Sequence, residues 1–172
     1  HTRSHGDWSS DVCSSDLTKI VVVTGASRGI GRAIALAFAE EGANLVLAAR
    51  DRALLERVEA EINAMGRKSL VVPTNVAKDN DVAGLAETTM RTFGRVDVLV
   101  NNAGMAGVDV PVWSMTVEHW DELMGVNLRG AFLCSRAMLP CMMERKQGFI
   151  INIASEVGRL AAGTYGAYST SK

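Results

Sequence analysis

Residues 19–31 constrain this 172-residue chain more than any other stretch. A β-branched run, K-I-V-V-V-T, leads at once into Gly25-Ala26-Ser27-Arg28-Gly29-Ile30-Gly31. Apolar residues then recur at helical spacing: Ile30, Ile34, Ala37 and Phe38. A short apolar run without polar alternation fits a strand buried on both faces. A strand feeding a helix through a tight glycine turn opens a parallel α/β sheet.

The same alternation continues along the chain. Strands are expected over residues 19–24, 44–49, 69–74, 96–101 and 149–154. Helices are expected between them, the first ended by Gly42, the next over 53–65 closed by Gly66, the third over 79–93 stopped by Gly94. A long helix is expected over about 116–144, with Pro140 bending its last turns, and a further one begins at Gly163. Right-handed crossovers then give a doubly wound, Rossmann-like parallel sheet of five strands. Ligands in such a sheet bind beyond the carboxyl ends of the strands, where the polar clusters of this sequence fall.

Composition adds bounds. Apolar residues make up 48% and charged residues 22%, with a net charge of −1, which gives no support for a nucleic-acid or anionic-membrane partner. The cysteines show neither a C-x-x-C pair nor metal-ligand spacing, so no metal site is expected. Cys134 and Cys141, seven apart, read as small core residues of a protein in a reducing compartment, the cytoplasm. Residues 1–17 begin with His1, lack hydrophobic periodicity and repeat themselves (W-S-S-D, then C-S-S-D). They lack the apolar core of a secretory signal and are expected to be a non-native or disordered leader, giving His1, His5 and Cys13 no role. Residues 18–172 are expected to form the folded domain.

The glycine turn is a candidate dinucleotide cradle. Gly25, Ser27, Arg28, Gly29, Ile30 and Gly31 bring a tight turn, close backbone approach and a helix amino terminus whose free N–H groups face an anion. Arg50 ends the second strand, where an acidic residue would bond the 2′-hydroxyl of NAD. An arginine there meets a 2′-phosphate instead, with Arg28 as a second contact, so NADPH is expected as cofactor and NAD remains open because Asp51 is adjacent. At the far end, Tyr168 and Lys172 stand four apart, so phenol and ammonium leave one helix face. The ammonium favours the phenolate, which suits Tyr168 to give a proton to a carbonyl or to take one back.

The order and spacing of five motifs resemble the short-chain dehydrogenase/reductase family, in its non-extended branch. They are residues 24–31, Asn75-Val76, residues 101–104, Asn127, and Ser155 with Tyr168 and Lys172. Within the family the turn and the Ser155 region look most similar to 3-oxoacyl-acyl-carrier-protein reductases. The resemblance implies that Asn75 meets the adenine amine and that Val76 supports the ring. It places Asn102, with Ala103 and Gly104, at the adenosine ribose region, and gives Asn101 a bracing role in its strand. It implies that Ser155 polarises a substrate carbonyl, that Tyr168 is the acid, that Lys172 assists it and holds ribose hydroxyls, and that Asn127 holds a water joining the lysine to solvent. Tyr165, seven before Lys172, sits at the spacing that enoyl reductases of the superfamily use, but Ser155 is in register with Tyr168.

The implied activity is NADPH-dependent reduction of a ketone, a 3-oxoacyl thioester or similar small molecule, to a secondary alcohol. The alternatives are an NAD-dependent alcohol or polyol dehydrogenase and an inactive nucleotide-binding fragment. Relatives pair into dimers and tetramers through the long helix and the one carrying Tyr168. Because the family continues beyond the lysine, the C-terminal part of the fold is expected to be missing here. The isolated chain is then expected to show little activity and poor solubility, with its fifth strand an apolar edge. Residues 105–115, with Val108, Val110 and Trp113, are read either as a substrate mouth or as a packed loop.

Overall fold

A computed structural model describes residues 18–160 and 164–172. The expectations for residues 1–17 and for Gly163 lie outside the described residues. The strands are β1 (Ile20–Thr24), β2 (Asn44–Ala49), β3 (Ser69–Pro73), β4 (Val98–Asn101) and β5 (Phe149–Asn152). The helices are α1 (Gly29–Glu40), α2 (Arg52–Ala64), α3 (Asp79–Phe93), α4 (Val117–Met124), α5 (Gly130–Glu144) and α6 (Gly166–Ser171).

All strand pairs are parallel, in the order β3-β2-β1-β4-β5. The direction of winding reverses between β1 and β4, and the two sequence-distant strands meet there with Val22 opposite Leu99. This is the doubly wound sheet expected from the alternation of elements.

Period-two alternation sends the β1 side chains into two cores. Val22 packs with Leu99, Leu85, Leu133 and Met138, under α3 and α5. Val21 and Val23 pack with Ala35, Leu55 and Ile62, under α1 and α2. Both layers exclude water, which is why the Val21–Val23 run of β1 needs no polar position. The expected glycine stops hold: α3 closes on Gly94, in the left-handed region, whose N–H reaches the Met90 carbonyl at 2.8 Å. Asp51 caps α2 by accepting from the Leu54 N–H at 3.1 Å, and Thr116 caps α4 through the His119 N–H at 3.2 Å.

The long helix departs from expectation. It is helical from Val117 to Glu144, but Gly125–Arg129 forms a π turn between α4 and α5. The residue this turn re-aims is Asn127, which is buried. Cys134 is fully buried in α5, and burial pushes its thiol up to about 12, so it stays neutral.

Opposite the strands' carboxyl ends, Asp97 pins the sheet. Its carboxylate accepts from the Ile20 N–H at 2.8 Å. It also pairs with Arg95 at 3.0 Å and Arg145 at 2.9 Å. One buried acid thus ties β1, the entry to β4 and the end of α5. Asp97→Ala leaves the Ile20 N–H without its acceptor and two partly buried guanidiniums without their counter-charge, each keeping only a backbone carbonyl, Thr18 for Arg95 and Val96 for Arg145. We expect it to destabilise the fold by about 2–4 kcal/mol in urea unfolding. A loss under about 0.5 kcal/mol, the range of an ordinary surface change, contradicts this role.

Candidate active site

Every strand end contributes to one cavity of about 730 Å³. Gly25 through Gly31 follow β1, Arg50 follows β2, Asn75 follows β3, Asn102 follows β4, and Ile153 and Ala154 follow β5. Tyr168 of α6 and Lys172, which follows that helix, close its far wall.

The β1 end is shaped by a clasp across the switch point. Thr24 is buried; its hydroxyl donates to the Val100 carbonyl at 3.2 Å and accepts from the Asn102 and Ala103 N–H groups, each at 3.0 Å. The Asn102 amide returns to the Thr24 carbonyl at 2.9 Å and the Gly25 carbonyl at 3.4 Å. Asn102 therefore supports the turn as well as lining the cavity. Helix α1 starts directly over this clasp. A Cβ on Gly31 would stand 2.2 Å from the Gly25 carbonyl oxygen and 2.4 Å from the Asn102 amide nitrogen. Gly25 itself has φ +67°, and a Cβ there would meet Ala103 and Asn102 at 2.9 Å. The amino terminus of α1 can thus lie against the sheet end with its N–H groups facing the cavity. That backbone cradle, which side chains would fill, fits a dinucleotide pyrophosphate.

Arg28 and Arg50 are exposed beside this cradle, and among the described residues neither guanidinium has an ion-pair partner. Asp51 lines the cavity too, but one of its carboxylate oxygens is held by the α2 cap. At the β3 end Asn75 uses its side-chain oxygen on the Ala77 N–H at 3.1 Å, and its own N–H goes to Asp81 at 2.9 Å. Val76 packs so closely on the long helix that a Cβ on Gly130 would be 2.8 Å from it.

At the opposite end, Lys172 donates to the Ile153 carbonyl at 3.1 Å and lies 5.9 Å from the Tyr168 ring centroid. Two of its ammonium protons remain. Among the described residues the Tyr168 hydroxyl has no hydrogen-bond partner. Gly104 permits this arrangement: a Cβ there would be 3.1 Å from the lysine nitrogen and 3.4 Å from Asn127 Oδ1. Tyr165 packs edge-on against Tyr168, ring centroids 6.4 Å apart.

Asn127 does not line this cavity; it stands behind it, on a second cavity of about 340 Å³ that also touches Lys172. Its amide is occupied by protein. It accepts from the Met105 N–H at 2.8 Å and donates to the Met105 carbonyl and the Ser171 hydroxyl, both at 2.9 Å. Ser171 donates on to the Tyr168 carbonyl at 2.8 Å. Ser171 thus joins the π turn to α6, a link the sequence does not signal beyond its place beside Lys172. Asn101 braces the sheet as expected, donating to Ser135 at 3.0 Å and Asn152 at 2.9 Å. Ser155 follows the cavity-lining Ala154 but lines neither cavity. Of residues 105–115, Met105 and Ala106 line the cavity, whereas Val108, Val112 and Trp113 are exposed, Trp113 to 84%, which does not fit a packed loop.

The family model for short chain dehydrogenases matches residues 19–172. The chain belongs to that family. Its similarity to a 3-oxoacyl-[acyl-carrier-protein] reductase of Synechocystis sp. is 41% identity over 155 residues, 90% of this chain. The chain spans 62% of that reductase's length. Among solved structures, a metagenomic short-chain oxidoreductase in complex with NADP superposes with a TM-score of 0.87 at 41% identity, covering 90% of this chain and 70% of the other. An NAD+-bound xylitol dehydrogenase superposes with a TM-score of 0.87 at 34% identity, covering 90% and 60%. The short-chain dehydrogenase fold and this chain's five-stranded parallel sheet therefore agree. No helix among the described residues is long and apolar enough to cross a membrane.

Two glycines test the cradle. Gly31→Ala drives a Cβ into backbone, whereas Gly84 lies in α3 with nothing within 4 Å of its Cβ position. We expect Gly31→Ala to destabilise by about 1–3 kcal/mol and Gly84→Ala to be neutral or stabilising by up to about 1 kcal/mol in thermal unfolding. Equal effects from both would contradict the close approach of α1.

Proposed function

We propose that this chain is the cofactor-binding and proton-transfer part of an NADPH-dependent ketone reductase, acting on a 3-oxoacyl thioester or a similar carbonyl substrate. One observation carries the reading: a single cavity joins the glycine cradle, the free guanidinium of Arg50 and the Tyr168–Lys172 pair. The similarity to a 3-oxoacyl-[acyl-carrier-protein] reductase and to an NADP complex supports the substrate class and the cofactor.

Gly25, Ser27, Gly29, Ile30 and Gly31 hold the pyrophosphate by backbone N–H groups. Arg50, with Arg28, takes the 2′-phosphate. Asn75 and Val76 take the adenine end, and Asn102, Ala103 and Gly104 flank the adenosine ribose region. A bound NADPH supplies the hydride. Tyr168 gives its phenolic proton to the carbonyl oxygen as that oxygen gains negative charge. Lys172 stabilises the phenolate that remains and holds ribose hydroxyls with the protons the Ile153 carbonyl leaves free. Ser155, one residue beyond the cavity wall, orients the carbonyl oxygen. Asn127 positions the loop after β4 and, through Ser171, the helix carrying the pair. Exposed Leu128, Phe132, Leu139 and Met143 along the long helix support assembly into a homo-oligomer.

The reading favours NADPH over NADH because Asp51 is turned into the α2 cap while Arg50 is open. Replacing Arg50 by alanine should weaken NADPH binding by about 10- to 100-fold with little change for NADH, measured by calorimetric titration. An unchanged NADPH affinity removes Arg50 from the site, and an NADH preference in the unmutated protein favours the dehydrogenase alternative. In the whole protein, Tyr168→Phe should lower the rate of NADPH oxidation with a 3-oxoacyl thioester by at least about 10²-fold while NADPH still binds. Retained activity in Tyr168→Phe, with loss in Tyr165→Phe, would move the acid to Tyr165.

A further inference from the structure

The π turn at Gly125–Arg129 is fastened to the fold on two faces, and one fastening is used by none of these roles. Asn127 and Arg129 are two residues apart, so their side chains leave the turn on different faces. On one face Asn127 holds Met105 and Ser171. On the other, the exposed Arg129 donates to the Ala77 carbonyl at 3.0 Å. Ala77 belongs to the turn after β3, which Asn75 shapes: its side-chain oxygen accepts from the Ala77 N–H at 3.1 Å and its carbonyl from the Lys78 N–H at 2.9 Å. Glycines bring the two turns together. A Cβ on Gly130 would be 2.8 Å from the Val76 side chain, and one on Gly125 would be 3.7 Å from that of Ala77. Further along the helix, Arg136 pairs with Asp79 at 2.5 Å.

A π turn carries one residue more than an α turn. Closing it to α-helical geometry would rotate residues 127 and 129 together, so Asn127 would leave Met105 and Ser171 as Arg129 left Ala77. The turn is thus one element with two arrangements, and its partners on both faces select the same one. Packing of Val76 on Gly130 has no direction, whereas the Arg129 hydrogen bond has one and fixes the phase of the turn. A ligand that orders the Asn75 turn in the shape Arg129 holds therefore favours the arrangement in which Asn127 holds α6.

We propose that Arg129 is a positioning residue, which through the π turn ties the cofactor's adenine end to α6 and its proton-transfer pair. This rests on the nucleotide reading above and adds to it a residue that lines neither cavity. Filling the adenine end then steadies Tyr168 and Lys172 before a nicotinamide reaches them.

The test is hydrogen exchange with and without saturating 2′,5′-ADP, which has the adenine, its ribose and the 2′-phosphate but no nicotinamide. It uses the unmutated protein, Arg129→Ala, Arg129→Lys and Arg136→Ala, with calorimetric titration to establish saturation of each. Unfolding midpoints should agree, since both arginines are exposed. In the unmutated protein the ligand should slow exchange at the Met105 amide and in α6 by about 3- to 10-fold, the factor one hydrogen bond supplies. Arg129→Ala should bring that slowing to within about 2-fold. Arg129→Lys, which keeps a donor for the Ala77 carbonyl, should restore most of it, and Arg136→Ala should leave it intact. Equal slowing in Arg129→Ala, no restoration by lysine, or the same loss in Arg136→Ala overturns the role of Arg129. So does exchange at Met105 and α6 that ignores the ligand in the unmutated protein while the Asn75 turn is protected, and the nucleotide reading then stands. Failure of 2′,5′-ADP to bind the unmutated protein overturns both.

Discussion

The contact between the start of α1 and the β1–β4 switch point is the constraint on which the rest of the site depends. Helix α1 can present free N–H groups beyond the sheet only if its first turn lies against backbone. That requires hydrogen in place of a side chain at Gly31 and a left-handed turn at Gly25. It also requires the two strand ends to be locked to each other, which Thr24 and Asn102 do across 78 residues of sequence. Loosening that clasp would move the phosphate cradle, the loop holding Gly104 and, through Met105 and Asn127, the helix bearing Tyr168 and Lys172.

The two ends of the sheet are built on opposite electrostatic principles. At the amino ends of β1 and β4, Asp97 is buried and answered by two arginines and a backbone N–H. The charges there are mutually satisfied and serve the fold. At the carboxyl ends, Arg28, Arg50 and two protons of Lys172 are left without protein acceptors among the described residues. Unanswered positive charge around backbone N–H groups is what an anionic dinucleotide would complete.

The strand runs, the glycine stops and the winding of the sheet were legible in the sequence because each rests on local patterning. The β1 run V-V-V has no polar position and is buried on both faces; Gly94 stops α3 where helical spacing ends. Most of the polar residues singled out at strand ends line one cavity together with Tyr168 and Lys172, while Ser155 and Asn127 do not. What was not legible is how side chains are spent. The Asn127 amide is consumed by Met105 and Ser171, Asn102 doubles as a brace, Asp51 is drawn into a helix cap, and Ser155 stands one residue off the cavity wall. The π turn at Gly125–Arg129 leaves no mark on the hydrophobic period, because one extra residue in a turn shifts the phase within a segment already rich in apolar side chains.

Hydrogen exchange with and without NADPH tests the central claim, that cradle, guanidinium and proton-transfer pair belong to one binding site. The account predicts that saturating NADPH slows exchange together at residues 25–31, in the turn containing Asn75 and in α6 around Tyr168, with a common dependence on ligand concentration. Protection confined to the glycine turn, with α6 unchanged, would contradict it.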